Sequence, residues 1–484
     1  MICRETALWQ EPRCTLETFI RCERRREEFS FRAMNTPRFL ACIVIAGTFV
    51  TAATIGRAAS SPASVASPAA VATAISPPAL KDAAGRTLRR AATGHVTNYY
   101  EEKVPPYTLP DVLKLADGRT VSDADMWFKL RRPEILKLYE TEIYGRVPAS
   151  APKARFEVVE AGTPALNGVA SRKHVIGHFG DGPKATTVNL MIYRPASAKG
   201  PLPLVLHITF GGDPSLQPPV APAVPGRPAP RRFNDAGPIA EILGHGYAYA
   251  ILRYTEIQPD SAAGRTEGVI GLSLAPGQTT PAPDEWGTIS AWTWGLGRIM
   301  DYLETDPDVD ATRVALVGHS RLGKTVLWAG ATDPRLALIY SSQGGEMGSA
   351  LARRDYGETV DDMAGNYGYQ FAGNFQKYAG HWNEMPVDAH MLIALSAPRP
   401  VLVSGGSGDQ WSDPRGEFLA MVAAGPVWRL LGKSDLGTTE LPALDVPVAA
   451  GTLAYLDHEG PHTINPLDWK TFLDFADRHL KKGN

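Results

Sequence analysis

At 484 residues, with 44% apolar content and a formal net charge of −2, the chain is long enough for one large α/β domain or two smaller ones. It carries no electrostatic case for a nucleic-acid partner or another polyanion. Its four cysteines, Cys3, Cys14, Cys22 and Cys42, all lie in the first tenth of the chain, so the remainder offers neither a disulfide framework nor a thiol nucleophile.

Residues 1–33 are Arg-rich and Cys-bearing, unlike the start of an export signal, and Met34 reads as the true initiator. After it come a basic segment with Arg38, an apolar run over 39–55 and then small residues, the layout of a signal peptide over 34–59 with cleavage near Ala58 or Ala59. The run contains Gly47 and several threonines and is short for a membrane span. A secreted or periplasmic protein without stable membrane association is expected. Residues 60–96 are rich in Ala, Ser and Pro with almost no large apolar side chains, and read as a flexible linker. The catalytic domain is expected over 97–484, as a monomer.

Arg132-Pro133-Glu134-Ile135 opens a helix with proline in its first turn; Ile135, Leu138, Tyr139 and Ile143 fall on one face, and Gly145 ends it. Alternating runs at 156–159, 174–176 and 188–193 predict antiparallel strands at a sheet edge. By contrast, 202–208 and 247–252 are almost continuously apolar, as strands covered on both faces are. The proline-rich stretch 214–230 between them reads as a surface loop. An amphipathic segment over 285–303, with Trp286 and Trp292 read as core, leads to a β-branched run at 313–317, closed by Gly318 and followed by helical spacing over 322–331. Strands at 401–404 and 452–456 flank a helix over 414–423, and Pro466 begins a last helix. This alternation predicts an α/β fold, a three-layer sandwich around a mostly parallel sheet with antiparallel strands at its N-terminal edge.

The turn at Gly318-His319-Ser320-Arg321-Leu322-Gly323-Lys324 places Ser320 between strand and helix, where a hydroxyl projects from the top of a sheet. The common elbow has its second glycine two residues after the serine; here it stands one residue later. A serine nucleophile needs a base and an acid to orient that base, and in α/β-hydrolases both follow the serine in the chain. His462, in the loop between the last strand and the last helix, is favoured as base over His458, which directly follows the strand. His390 and His479 sit in helical segments. Asp409, on a glycine-rich loop past a buried strand, competes as acid with Glu346, while Asp413 before Pro414 reads as a helix cap. Arg321 either stabilises charge on a carbonyl oxygen or caps a nearby carboxylate.

Taken together, Arg132-Pro133-Glu134, Tyr144-Gly145-Arg146-Val147-Pro148, the Ser320 elbow, Pro386-Val387-Asp388-Ala389-His390-Met391-Leu392, Ala397-Pro398-Arg399-Pro400, Trp411-Ser412-Asp413-Pro414-Arg415-Gly416-Glu417 and Asp468-Trp469 resemble the landmarks of the glucuronoyl esterases, carbohydrate esterase family 15, in its bacterial form. The resemblance implies an α/β-hydrolase that cleaves the ester between (4-O-methyl)glucuronate on xylan and a lignin alcohol, with no metal or other cofactor. On matching motifs it makes Ser320 the nucleophile, His462 the base and Arg321 the oxyanion stabiliser, with Lys324, Trp411 and Glu358 as sugar contacts. Two departures stand out. Gln343 occupies the place of the fungal catalytic glutamate, which favours Asp409, two residues before Trp411. Gly368-Tyr369-Gln370-Phe371 replaces a Pro-His-Trp-Phe segment. The competing readings are an acetylxylan or general carboxylesterase with the same triad, and a silent carbohydrate-binding hydrolase fold.

Overall fold

The computed structural model of the chain describes residues 80–217 and 234–481. The expected leader over 34–59, the residues before it, the first part of the expected linker and most of the proline-rich insertion lie outside the described residues.

The strands are β1 Ala154–Ala165, β2 Ala170–Phe179, β3 Thr186–Pro195, β4 Leu202–Thr209, β5 Ala248–Arg253, β6 Val309–His319, β7 Leu336–Ser342, β8 Val401–Gly406 and β9 Leu453–His458. They form one sheet in the order β1-β2-β3-β5-β4-β6-β7-β8-β9. Pairing is antiparallel from β1 through β3 to β5 and parallel at every later step to β9. The period of two distributes each buried strand between two cores. Leu204, Leu206 and Ile208 join one core with Val314 and Leu316, while Val205 joins the other with Ala315 and Val317. A strand that feeds both faces must be apolar at every position, hence the continuous runs in the sequence.

The helices used below are α1 Arg132–Leu138, α2 Thr288–Leu303, α3 Arg321–Thr332, α4 Val360–Tyr367, α5 Ala389–Ala394, α6 Pro414–Leu430 and α7 Pro466–Leu480. Trp292 and Leu296 of α2, Leu322 and Val326 of α3, Met391 of α5 and Phe418 of α6 fill the first core, and Trp469, Phe472 and Phe475 of α7 fill the second. The sandwich therefore has three layers, and Trp286 and Trp292 are buried as expected. Among the described residues, no helix is long and apolar enough to cross a membrane.

Three elements differ from the sequence reading. The helical stretch around Pro133 begins earlier, at Ala124–Met126, where Asp123 accepts the Met126 N–H at 2.8 Å, and although it ends before Gly145 as expected, its last turns over Tyr139–Ile143 are wider than those of an α-helix. Helix α6 runs on to Leu430 through Pro426, because Ala424, Val427 and Trp428 are buried and their packing outweighs the lost backbone bond. The stretch read as linker up to residue 96 is folded from residue 80 onward. Bridges between Lys81 and Thr87 and between Arg90 and Val96 form two tight reversals, with Gly85 and Gly94 in the left-handed region. Polar contacts hold them: Arg86 Nε to Asp82 at 2.7 Å, Thr93 to Asp361, and His95 paired with Asp355 at 3.0 Å. Composition signals missing apolar burial, and this segment uses little of it.

Candidate active site

The candidate residues hang from the C-terminal ends of β6, β7, β8 and β9, where open parallel sheets place their ligands. β6 ends at His319, and Ser320 follows with φ 60° and ψ −128°, a conformation that costs an L-residue about 1–3 kcal/mol. Its N–H donates to the Ser342 carbonyl at 2.8 Å, and its carbonyl accepts from the Lys324 N–H at 3.2 Å. The glycines on either side allow the strand to turn so sharply into α3. A Cβ on Gly318 would lie 2.4 Å from the Leu322 carbonyl oxygen, and one on Gly323 would lie 2.8 Å from Ser341 Oγ and 3.0 Å from the Ser342 carbonyl oxygen. The close approach to β7 thus falls at position 323, and position 322 is free to bury a leucine. Gly323→Ala is expected to push α3 off β7, costing about 1–3 kcal/mol and lowering turnover. An unchanged melting temperature would mean that the helix start yields without strain.

His462 and Asp409 meet as the sequence order suggested: His462 Nδ1 donates to Asp409 Oδ2 at 2.5 Å. Asp409 is buried and its own N–H is tied to the Gly406 carbonyl at 2.8 Å. Burial works to raise the Asp409 carboxyl, but the hydrogen bond and charge of His462 outweigh it and hold the carboxyl below its usual range. Glu346 is elsewhere. It is buried, makes no contact with His462, and burial, with the charges of Asp388 and Glu358, drives its carboxyl well above the ordinary value. Gln343 donates from Nε2 to the Thr463 carbonyl at 3.2 Å, so this side chain braces the loop that carries His462.

Three of the other histidines serve the scaffold. His458 is fully buried and pairs with Asp468 of α7 at 2.9 Å. His390 reaches the Pro110 carbonyl from Nε2 at 2.8 Å. His479, read as a helical surface residue, is half-buried with Nε2 3.2 Å from the Gly451 carbonyl. His319, which the sequence did not single out, lies tilted against His462 with ring centroids 4.4 Å apart, and burial together with that neighbour lowers it to about 3, so it stays neutral. Asp413 caps α6, accepting the Gly416 N–H at 3.0 Å.

Of the two readings for Arg321, the contact with a carboxylate is the one seen. The residue lines the cleft with Ser320, and its guanidinium pairs with Asp260, which accepts in addition from Tyr254 at 2.8 Å, Tyr369 at 2.9 Å and Gln370 Nε2 at 3.0 Å. The departing Tyr369-Gln370 pair thus holds the carboxylate that orients Arg321. No spacing in the sequence pointed to Asp260. The loop after β4, a usual source of oxyanion N–H groups, is spent: Phe210 and Gly211 donate to Asp235 at 2.7 and 2.9 Å, and Gly212 to Thr209 Oγ1 at 3.0 Å.

Lys324, Glu358 and Trp411 form one chain. Lys324 Nζ lies 3.1 Å from Glu358 Oε2, and Trp411 Nε1 donates to Glu358 Oε1 at 3.1 Å. Lysine retains two further donors and the carboxylate two further lone pairs. All three line a cleft of about 440 Å³ with Ser320, Arg321 and His462, joined by Arg89, Phe210 and Tyr367.

The family described as glucuronyl esterase, fungi, matches residues 281–432. The chain is similar to carbohydrate esterase MZ0003 of an unknown prokaryotic organism, 38% identical over 80% of this chain and 93% of that one. Among solved structures, a glucuronoyl esterase from Solibacter usitatus shares 44% identity at a TM-score of 0.73, covering 78% of this chain and all of that one. A carbohydrate esterase family 15 glucuronoyl esterase from Teredinibacter turnerae shares 35% at a TM-score of 0.70, over 81% of this chain and 96% of that one.

Proposed function

Since this chain belongs to carbohydrate esterase family 15, we propose that it is a glucuronoyl esterase, hydrolysing the ester that joins (4-O-methyl)glucuronate of glucuronoxylan to a lignin alcohol. The observation that carries the reading is the make-up of the Ser320 cleft: Ser320 and an Asp409-held His462 stand beside Lys324, Glu358 and Trp411, a polar set suited to sugar hydroxyls.

In this reading His462 Nε2 takes the Ser320 proton as Oγ attacks the ester carbonyl, and Asp409 fixes the tautomer and stabilises the imidazolium. The carbonyl oxygen becomes an oxyanion facing Arg321, whose guanidinium substitutes for the loop N–H groups occupied by Asp235 and Thr209. Collapse expels the alcohol, which takes the proton from His462. Water, deprotonated by the same histidine, then releases the uronate and restores Ser320. The substrate is a polymer outside cells, which agrees with export through the 34–59 leader; a monomer completes the reading.

A glucuronoyl ester presents ring hydroxyls on its acyl side, next to the elbow, and an acetyl ester presents only a methyl group. Lys324→Ala should remove charged hydrogen bonds worth about 1.5–3 kcal/mol, lowering kcat/KM on benzyl glucuronate by roughly ten- to a hundredfold more than on a simple acetate ester. Because the substitution also strands the Glu358 carboxylate, melting is followed alongside. Equal losses on the two esters would reduce Lys324 to a support of the elbow. A wild-type preference for acetate would favour a general carboxylesterase.

A further inference from the structure

On the Trp411 side of the cleft lies a cation that the reaction above does not use. Arg89 comes from the folded segment that begins at residue 80, is exposed, and has its Cζ 4.4 Å from the centroid of the Trp411 ring. It lines the same cleft as Ser320, Lys324, Glu358 and His462. The chain around it is tied down. The Arg89 carbonyl accepts the Thr97 N–H at 3.0 Å, Thr93 donates to Asp361, His95 pairs with Asp355 at 3.0 Å, and Gly357 donates its N–H to the Asn98 carbonyl at 2.8 Å. The last three anchors fall within 355–361, the stretch that carries Glu358. Arg89 is therefore fixed relative to the sugar contacts.

The charges of the cleft otherwise cancel in pairs. Arg321 is matched by Asp260, Lys324 by Glu358 and His462 by Asp409. Among the described residues, Arg89 makes no ion pair and donates no side-chain hydrogen bond. Asp362 feels its charge, but that carboxylate caps α4, accepting the Thr359 N–H at 3.2 Å and hydroxyl at 2.9 Å. A guanidinium that lies over an indole and makes no other polar contact keeps its five N–H donors available, in a fork that fits a carboxylate.

We propose that Arg89, seated on Trp411, is a binding residue for the carboxylate of a free uronic acid. The inference rests on the glucuronoyl esterase reading. An esterified glucuronate is neutral, so the anion has two sources: an unesterified uronate elsewhere on the same polysaccharide, or the uronate that the reaction releases.

The test compares wild type with Arg89→Gln and Arg89→Lys in three arms: benzyl glucuronate, an oligosaccharide bearing one esterified and one free uronate, and inhibition by free glucuronate. If the neighbouring uronate is bound, Arg89→Gln should lower kcat/KM on the acidic oligosaccharide about tenfold more than on the benzyl ester, through KM and with reduced salt sensitivity. If the product is bound, its inhibition constant should instead rise about tenfold. Arg89→Lys keeps the charge without the fork and should fall between. Equal losses on the neutral and acidic esters, or no change in either the acidic or the inhibition arm, would overturn the assignment. Calorimetry of a uronate-bearing oligosaccharide on the Ser320→Ala protein, with and without Arg89→Gln, needs no turnover. A wild type inactive on benzyl glucuronate would then sink the esterase reading, while the calorimetry would still decide on Arg89.

Discussion

Ser320→Ala is expected to reduce esterase turnover by about 10⁶-fold while leaving the melting temperature where it was. The size of the loss follows from the way a nucleophile and its base act as one unit: without Oγ, the His462–Asp409 pair has no proton to take, and only binding and oxyanion stabilisation remain. The unchanged stability follows from the backbone. Ser320 sits at φ 60° and ψ −128°, and alanine, with the same Cβ, meets the same strain. Glycine does not, so Ser320→Gly should be as inactive but more stable by about 1–3 kcal/mol. Turnover within tenfold of wild type in a Ser320→Ala protein that melts normally would end the serine-esterase reading.

Asp409→Asn should cost up to about four orders of magnitude in kcat, far more than Glu346→Gln. An amide at 409 can donate a proton to His462 Nδ1 where the carboxylate accepts one, which stabilises the wrong tautomer. It also removes the negative charge that balances the imidazolium formed as Ser320 attacks. The 2.5 Å contact places this effect at position 409. Glu346 reaches no part of the imidazole, and burial already favours its protonated form, so the neutral glutamine changes little near the reacting atoms. Steady-state kinetics on benzyl glucuronate decides between them, and a larger loss after Glu346→Gln would reverse the assignment.

Much of this was legible in the sequence because it is local. Strand runs, the Ser320 turn, the Asp413 cap and the chain order of Asp409 and His462 all follow from spacing along the chain. What spacing cannot carry is pairing between distant segments. Asp260 holds Arg321 across 61 residues, and nothing around Gln258-Pro259-Asp260 sets it apart from any polar turn after a strand. The choice between Asp409 and Glu346 likewise needed the fold, since both stand in glycine-rich loops past buried strands. The folded segment before residue 97 was missed for a different reason: it is built from turns and polar contacts, which composition reads as the absence of structure. Position 323 shows the converse, for the displaced glycine was visible, but its cause, the closeness of α3 to β7, was not.

The buried pair of His458 and Asp468 ties the end of β9, just before the loop that carries His462, to α7, and that tie is sensitive to pH. Burial works to lower the His458 imidazole, but pairing with Asp468 outweighs it, and the net value lies above the ordinary one. A histidine raised in the folded state contributes its full stability below the unfolded value, about pH 6.5, and loses it as pH rises through the folded value. The stability that this pair contributes is therefore greatest in mildly acidic surroundings and falls toward alkali. Acid, by contrast, disarms a general base by protonating it. The two tendencies oppose each other: alkali weakens a tie of the scaffold, and acid removes the free imidazole that the proposed chemistry needs.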